Sequence, residues 1–367
     1  MIYLDNGATS LWKPACVYRA VSKAMLTCAN PGRGGYDAAA RAAEVVYRCR
    51  ERVATMFDCE PEQVVFTANC THGLNIAIRS MVKPGSRVVV SGFEHNAVMR
   101  PLYALGAKVT VVGRKLFDWD AMLTEFTRAI KQGADGAVFT HVSNVFGYIL
   151  PVEEMAAICK EYGVPFIIDA AQSAGTIPLS LKKLGAGFIA MPGHKGLLGP
   201  QGTGILLCAD TPQPLLYGGT GTDSVSRDMP LALPERLEAG TVNVPGIAGL
   251  GAAVAYLAKE SVDAVARREH ALAKVCGEML EDMGFFVFRG AHQASTVSFL
   301  PGENCEEFAL GLARQGIAVR AGLHCAPLAH ESAGTLETGT VRLSFGADGN
   351  FRQIEALGRG ILGIKRE

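Results

Sequence analysis

One lysine stands within the glycine-rich stretch GHKGLLGPQG, residues 193–202. Glycine lets a backbone pass close to another group, and lysine is seldom buried without a partner. In a desolvated site a lysine has a lowered pKa and can act as an amine nucleophile. Lys195 is therefore the first candidate for chemistry, and the polar residues elsewhere in the chain must indicate its partner.

Other polar residues follow short apolar runs that are typical of buried strands. They are Cys70, Thr71 and His72 after 64–67, His95 after 87–92, Asn144 after 136–142, Asp169 and Gln172 at the end of 164–169, and His194 after 187–191. Ligands of open parallel sheets bind at the carboxyl ends of the strands, so we expect these side chains to meet at one edge. Each alone is more often a cap or a loop residue, but together they indicate a site.

An aspartate at the end of a buried strand needs a cation or hydrogen-bond donors. Pyridoxal 5'-phosphate (PLP) satisfies Asp169 and Lys195 together, because its ring nitrogen pairs with a carboxylate and its aldehyde forms a Schiff base with lysine. Residues suited to the rest of PLP are His95 for ring stacking, Asn144 and Gln172 for the phenolic oxygen, and the Cys70-Thr71-His72 turn, a predicted helix N-terminus, for the phosphate.

Motifs that would indicate a different cofactor or a metal are weaker. GLGAA (249–253) resembles part of a dinucleotide fingerprint but lies in a helical pattern with no strand before it, and GPQGTG (199–204) lacks the Gly-Lys-Ser/Thr of a P-loop. The spacing of His324, Cys325 and His330 fits no zinc motif. The sequence therefore predicts no metal site.

The elements that would position the site alternate in type. Apolar runs typical of strands lie at 64–67, 87–92, 108–113, 136–142, 164–169, 187–191 and 204–208. Amphipathic segments such as 39–57 and 150–163 separate them, which predicts an α/β fold with a mostly parallel sheet covered by helices on both faces.

Near residue 245 the pattern changes. A long helical stretch reaches 283, and it precedes short strands at 295–300, 317–321 and 340–344 and a final helix near 350–363. A chain of 367 residues suits two domains. We expect a large α/β domain over 15–245 and a smaller α+β domain over 246–367 that includes the N-terminal segment 1–14.

The composition of the chain limits the kinds of partner that we expect it to bind. The 35 basic and 35 acidic residues balance, and no basic run stands out, so nucleic acid is not expected. The least charged stretch, 239–257, contains Pro245 and several glycines and makes a poor membrane span. The start lacks the features of a signal peptide, and the 10 cysteines form no C-x-x-C pair, so we expect reduced thiols and a cytoplasmic protein.

The chain resembles the class V aminotransferase-fold PLP enzymes, and within them the NifS-like cysteine desulfurase / selenocysteine lyase family. The resemblance covers nearly the whole chain. It rests on the motifs YLDNGATS (3–10), NPGRGGY (30–36), FTANCTHGLN (66–75), EHNA (94–97), HVSNVFG (141–147), DAAQSAG (169–175), GHKGLLGPQGTG (193–204), LEAGTVN (237–243), RAGLHCA (320–326) and GTVRLSFG (339–346). It implies the aspartate aminotransferase-like fold, fold type I, with a smaller C-terminal domain.

The resemblance also implies a role for each matching position. The roles are Lys195 for the Schiff base, Asp169 for the ring nitrogen, His95 for stacking and catalysis, Gln172 and Asn144 for the phenolic oxygen, Asn144 also for substrate, Thr71 and His194 for the phosphate, Arg342 for the substrate carboxylate, and Cys325 for the sulfur. The glycines near Lys195 would let the backbone pass close to the cofactor.

The implied reaction converts L-cysteine to L-alanine and leaves the sulfur on Cys325 as a persulfide. L-selenocysteine lyase, aminotransferase and β-eliminase activities remain alternatives on the same scaffold. A non-catalytic scaffold that binds PLP or a sulfur-handling partner is a third interpretation, and the complete set of Lys195, Asp169, His95 and Arg342 argues against it.

The form R-x-G-x-H-C-A is similar to the short-loop, SufS-like branch of the family. The family implies a homodimer, in which Thr220 or Thr222 of YGGTGTD (217–223) would reach the neighbour's phosphate, and a sulfur-acceptor protein. Two positions depart from the pattern. Pro192 stands where Ser or Thr is common, so a phosphate contact must come from elsewhere, and the loop after Cys325 reads APLAHES, with its proline one residue early.

Overall fold

Short, mostly apolar segments form the strands. The computed structural model describes residues 1–32 and 34–364. Its strands are β1 (Ile2–Tyr3), β2 (Val64–Thr67), β3 (Arg87–Ser91), β4 (Lys108–Val112), β5 (Gly136–Thr140), β6 (Phe166–Asp169), β7 (Phe188–Pro192), β8 (Gly204–Cys208), β9 (Phe286–Phe288), β10 (Thr296–Leu300), β11 (Ile317–Ala318), β12 (Arg320–Gly322) and β13 (Thr340–Ser344). Arg33 of the motif NPGRGGY and residues 365–367 of the predicted second domain lie outside the described residues.

Amphipathic helices connect the strands. They are α1 (Ala15–Thr27), α2 (Asp37–Phe57), α3 (Cys70–Met81), α4 (Asn96–Ala104), α5 (Trp119–Lys131), α6 (Val152–Tyr162), α7 (Leu181–Leu184), α8 (Val244–Glu260), α9 (Val262–Asp282), α10 (Cys305–Arg314), α11 (Pro327–Ala333) and α12 (Phe351–Ile364), with a 3-10 turn at Pro61–Gln63. Within the described ranges, no helix is long and apolar enough to cross a membrane.

A seven-stranded sheet in the order β2-β8-β7-β6-β5-β3-β4 forms the centre of the fold. Strand β8 is antiparallel to both of its neighbours, and the other pairs are parallel. Strands β2, β3, β5, β6 and β7 therefore end at the same edge of the sheet. The predicted α/β fold with a mostly parallel sheet is confirmed.

Alternating side chains of this sheet pack into two apolar layers. Phe166 and Ile168 of β6 contact a cluster that includes residues of α2, α5, α6 and α8, while Ile167 contacts a cluster with residues of α3 and α4. Since successive strand residues point to opposite faces, helices cover both faces of the sheet. The chain thus buries the sheet and leaves its carboxyl edge to carry polar groups.

The C-terminal part contains its own sheet, in the order β12-β13-β10-β9, with helices α9, α10 and α12 against it. A separate parallel pair joins β1 to β11. Helix α8 packs on α1 and α2. The domain division between residues 245 and 246 stays a prediction.

Two details of the predicted secondary structure are wrong. The single strand expected at 317–321 is two strands, because the chain leaves the β1–β11 pair at Ala318 and joins β13 from Arg320 onward. The single long helix expected after residue 245 is interrupted at Ser261, whose φ of 68° lies in the left-handed region. In both cases the segment packs against one part of the fold before the break and against another part after it.

An ion pair links α2 to the segment that follows the long loop after β8. The guanidinium of Arg50 donates to both carboxylate oxygens of Glu238 at 2.9 Å, and Glu238 also accepts from the Phe66 N–H at 2.7 Å. The two side chains are only 7% and 9% exposed. Because both charges are buried, each depends on the other.

Replacing Arg50 with methionine should lower the free energy of unfolding by about 3–5 kcal/mol, because it leaves the Glu238 carboxylate buried and uncompensated. Chemical denaturation measures this loss. Arg48→Met, which breaks an exposed pair with Glu44 on the same helix, should cost less than about 1 kcal/mol. Equal losses in the two variants would contradict the interpretation.

Candidate active site

Asp169 ends β6 at the centre of the carboxyl edge and is 2% exposed. Its Oδ1 accepts the Ala171 N–H at 2.9 Å and the Cys70 thiol at 3.4 Å. Burial raises the pKa of this carboxyl, and the Ala171 N–H and the Lys195 charge oppose the rise. The carboxylate therefore favours a cationic partner beside it.

Lys195 follows the neighbouring strand β7. Burial lowers the pKa of Lys195, and the charge of Asp169 opposes this effect. The next residue, Gly196, must be a glycine because of packing within the protein: a Cβ there would lie 2.5 Å from the carbonyl oxygen of Ala174. A Cβ on Gly193 would likewise meet the Thr203 hydroxyl. At these two positions the close neighbour is therefore another part of the chain.

His95 is the N-cap of α4. Its Nδ1 accepts the Ala97 N–H at 3.0 Å, which places the ring proton on Nε2. Burial, followed by the charge of Lys195, lowers the pKa of His95 to about 4. The site therefore holds a neutral imidazole beside cations, as a ring that stacks on a cofactor requires.

Cys325 is tied to the same helix. Its carbonyl accepts the Asn96 N–H at 2.8 Å, directly after His95. Of the 10 cysteines, Cys325 is the exposed one, and the others are partly or fully buried. Cys325 and His324 have φ values of 57° and 52°, in the left-handed region that non-glycine residues rarely adopt. The thiol thus lies on a strained, accessible loop next to the buried site.

His324 does not provide a cation for this thiol. Its ring is buried and stacks on His330, with ring centres 5.7 Å apart. Burial, followed by the charge of Arg342, lowers the pKa of His324 to about 2. Adjacency in sequence therefore gives Cys325 a neutral, buried neighbour.

Arg342 of β13 is 2% exposed and faces the same edge from the smaller sheet. It donates from Nη2 to Asp5 at 2.6 Å and from Nη1 to the Asn144 carbonyl at 2.9 Å, while its buried Nε has no partner among residues 1–32 and 34–364. The Asn144 side chain donates to the His324 carbonyl at 2.8 Å. Asn144 thereby joins the arginine to the loop that carries Cys325.

Helix α3 begins beside Asp169. Asn69 caps it by accepting the His72 N–H at 2.9 Å, and Cys70 and Thr71 form its first turn. Burial lowers the pKa of His72. The backbone N–H groups of a first helical turn have no partner within the helix, so this turn suits an anion.

Two further candidates bind the N-terminal segment. Gln172 donates to the Gly7 carbonyl at 3.0 Å, and His194 Nδ1 lies 3.0 Å from the Thr9 hydroxyl. A cavity borders both Gln172 and Lys195.

Thr220 and Thr222 lie apart from the candidate site residues described above. Their hydroxyls are 3.1 Å apart and line a surface cavity of about 820 Å³ together with Asn30 and Tyr47. In the described part of the chain, that lining includes none of the other candidate site residues.

Sequence reasoning missed several contributors. They are Asp5, Thr9, Ser10 and Lys13 of the N-terminal segment, and Arg320, which opposes Arg342 in the β12–β13 register. Burial is the main cause of the lowered pKa of His95 and of Lys195, and the charge of Arg320 adds to it. The motif YLDNGATS contributed to the family resemblance, but nothing in the sequence indicated which of its side chains contact a site more than 150 residues away.

Comparisons with known proteins agree with this fold. Residues 2–357 match the family model Aminotransferase class-V. A probable cysteine desulfurase of Pyrococcus abyssi is 33% identical over 388 residues, which cover 100% of this chain and 94% of the relative.

Solved structures give the same result. The apo cysteine desulfurase of Thermococcus onnurineus NA1 superposes with a TM-score of 0.91 at 32% identity, covering 100% of this chain and 94% of that one. A cysteine desulfurase of Escherichia coli in an S-sulfonic acid form gives 0.84 at 27% identity, with the same coverage. The chain therefore belongs to the aminotransferase class-V family.

Proposed function

We propose that this protein is a PLP-dependent cysteine desulfurase, which converts L-cysteine to L-alanine and takes the sulfur on Cys325 as a persulfide. One observation carries the proposal. The carbonyl of the exposed Cys325 accepts a hydrogen bond from the helix capped by His95, and the carbonyl just before it accepts one from Asn144, which also binds Arg342. These bonds connect the loop of an accessible thiol to the His95 helix and, through Asn144, to the buried Arg342. Relatives with full-length similarity are named cysteine desulfurases.

The residues present fit PLP. Asp169 is a buried carboxylate whose protein partners are neutral donors, which suits a protonated ring nitrogen. Lys195 is an amine with a lowered pKa, His95 is neutral, and the first turn of α3 suits a phosphate. When bound, PLP supplies a ring that stabilises the charge left by removal of the substrate α-proton.

The protein's own groups would perform the remaining work. Arg342 has unused N–H groups, including the unpaired Nε, to bind and orient the substrate carboxylate. Lys195 would take and return the α-proton through its amine. As thiolate, Cys325 would attack the substrate sulfur, so that a sulfur–sulfur bond forms while the carbon–sulfur bond breaks. Protonation of the remaining carbon gives alanine.

The assembly and location are proposals of the same kind. We propose a homodimer in which Thr220 or Thr222 serves the partner's phosphate, supported by their place on an exposed cavity apart from the other site residues. His194 and Thr71 would contribute to the same phosphate. The exposed Cys325 suits delivery of sulfur to an acceptor protein, and the free state of all 10 cysteines supports a cytoplasmic location.

Lys195→Ala should prevent covalent fixation of PLP by borohydride, because in the described part of the chain Lys195 is the amine whose charge acts on Asp169. Mass spectrometry of the reduced protein measures this. Asp169→Ala should weaken PLP binding by at least about 100-fold and Asp169→Glu by less, since only the former removes the counter-charge. Asp120→Ala, on the exposed surface of α5, is the control. Covalent PLP at the site of Lys195→Ala would contradict the assignment.

Arg342→Lys should raise KM for cysteine by about 10- to 100-fold, because lysine keeps the charge but cannot offer two parallel donors. Steady-state alanine release measures KM, and the absorbance of bound PLP should stay unchanged. Arg314→Lys, at the exposed end of α10, is the matched control. Unaltered cysteine kinetics would mean that the carboxylate binds elsewhere.

Cys325→Ala should bind PLP normally but lose the persulfide and release alanine at least about tenfold more slowly in the presence of a thiol reductant. Cys28→Ala, a partly buried thiol, should behave as the wild type. Alanine and pyruvate are quantified together, because β-elimination yields pyruvate and does not need this thiol. Full alanine release by Cys325→Ala would refute the desulfurase mechanism.

A further inference from the structure

The carbonyl oxygen of His194, in the peptide that leads into Lys195, is surrounded by donors from the N-terminal segment. It accepts the Ser10 N–H at 3.1 Å and the Ser10 hydroxyl at 3.0 Å. The Thr9 hydroxyl lies 3.2 Å away and the Lys13 ammonium 3.0 Å away. A carbonyl oxygen has two lone pairs, so these four contacts saturate it. The peptide is held far more firmly than secondary structure alone would require.

Lys13 is the charged member of this group. Its ammonium also donates to the Ser10 hydroxyl at 2.6 Å, and that hydroxyl lies 3.1 Å from the Lys195 carbonyl. Burial lowers the pKa of Lys13 to about 8, so the ammonium form prevails at neutral pH. Among residues 1–32 and 34–364, no carboxylate lies within 4 Å of it. Its charge is therefore directed at the carbonyl rather than neutralised by an ion pair.

The chain directly after Lys195 is also closely packed. A Cβ on Gly196 would lie 2.5 Å from the Ala174 carbonyl, and one on Gly175, whose φ is 86°, would lie 2.5 Å from the Gly196 carbonyl. The backbone around Lys195 thus lies between the turn after Asp169 and the donors of residues 9–13. Because contacts restrict the backbone on both sides of Lys195 in the chain, the direction of its side chain depends on both.

Lys13 also acts on the ring of His194. The pKa of His194 is lowered to about 4 by burial, then by the charge of Lys195, and then by that of Lys13. The ring is oriented by the Thr9 hydroxyl at 3.0 Å. The same N-terminal group therefore sets both the peptide and the imidazole that precede Lys195.

We propose that Lys13 is a positioning residue: by holding the His194 carbonyl it fixes the peptide that carries Lys195, and thereby sets how fast Lys195 bonds to PLP and exchanges protons. This role rests on the proposed function only through the use of PLP. It does not require that cysteine be the substrate.

The test uses full-length protein freed of PLP, in the wild-type form and as Lys13→Met, Lys13→Arg and Lys23→Met. Covalent capture of added PLP is followed by absorbance and by the mass fixed with borohydride. The pH midpoint of the absorbance of bound PLP is measured in the same proteins. Lys23 is an exposed lysine of α1 and controls for loss of a positive charge nearby.

Lys13→Met should slow PLP capture by at least about tenfold and shift the pH midpoint, because it removes the charged donor while keeping side-chain volume. Lys13→Arg should recover most of both, and Lys23→Met should match the wild type. Circular dichroism and the thermal midpoint report folding. If Lys13→Met does not fold, Lys13→Gln, which keeps a neutral donor, is judged by the same criteria.

The proposal would be overturned if folded Lys13→Met showed the wild-type capture rate and pH midpoint. The same result in Lys13→Gln would overturn it if that variant is used in place of Lys13→Met. So would a lowered thermal midpoint with both PLP readouts unchanged, since that outcome describes a purely structural lysine. Alanine release from cysteine by the wild type tests the proposed function separately. A protein that captures PLP in the predicted order but releases no alanine would refute the desulfurase and leave the role of Lys13 intact.

Discussion

The site depends on the burial of Asp169 at the end of β6. A buried carboxylate is costly unless donors and a cation face it. Thr140 and Ala190 flank Asp169 in the sheet register, so the neighbouring strands end where that requirement must be met. Lys195 follows one of these strands and Asn144 the other. The parallel order of the central sheet thus brings together groups that lie far apart in the sequence.

The ionisable side chains of this site differ in their charge. Burial keeps both His95 and His324 neutral, aided by the field of Lys195 at His95 and by the field of Arg342 at His324. The buried groups are held by short hydrogen bonds, whereas Cys325 is exposed on a loop in a rarely adopted conformation. This division suits a reaction in which binding must be rigid while the sulfur-bearing thiol must both reach the substrate and leave it.

The sequence was sufficient to predict most of the central sheet and its polar edge, because buried strands appear as short apolar runs and their ends carry unusual polar residues. The split between β11 and β12 could not be predicted, since Ile317 and Arg320 look like one strand and differ only in their distant partners. Lys13 was missed for the same reason. Its carbonyl partner is 181 residues away, and a lysine before a helix resembles any solvated lysine.

The N-terminal segment is where these separate parts meet. Asp5 binds Arg342, Gly7 accepts from Gln172, and Ser10 with Lys13 binds the peptide before Lys195. Strand β1 pairs with β11, in the C-terminal part of the fold, so the segment runs from there to the edge of the central sheet. A displacement of this segment would move Arg342, Gln172 and the Lys195 peptide together. Their relative positions are therefore set by one continuous piece of backbone, which explains why so many of its side chains are polar and point inward.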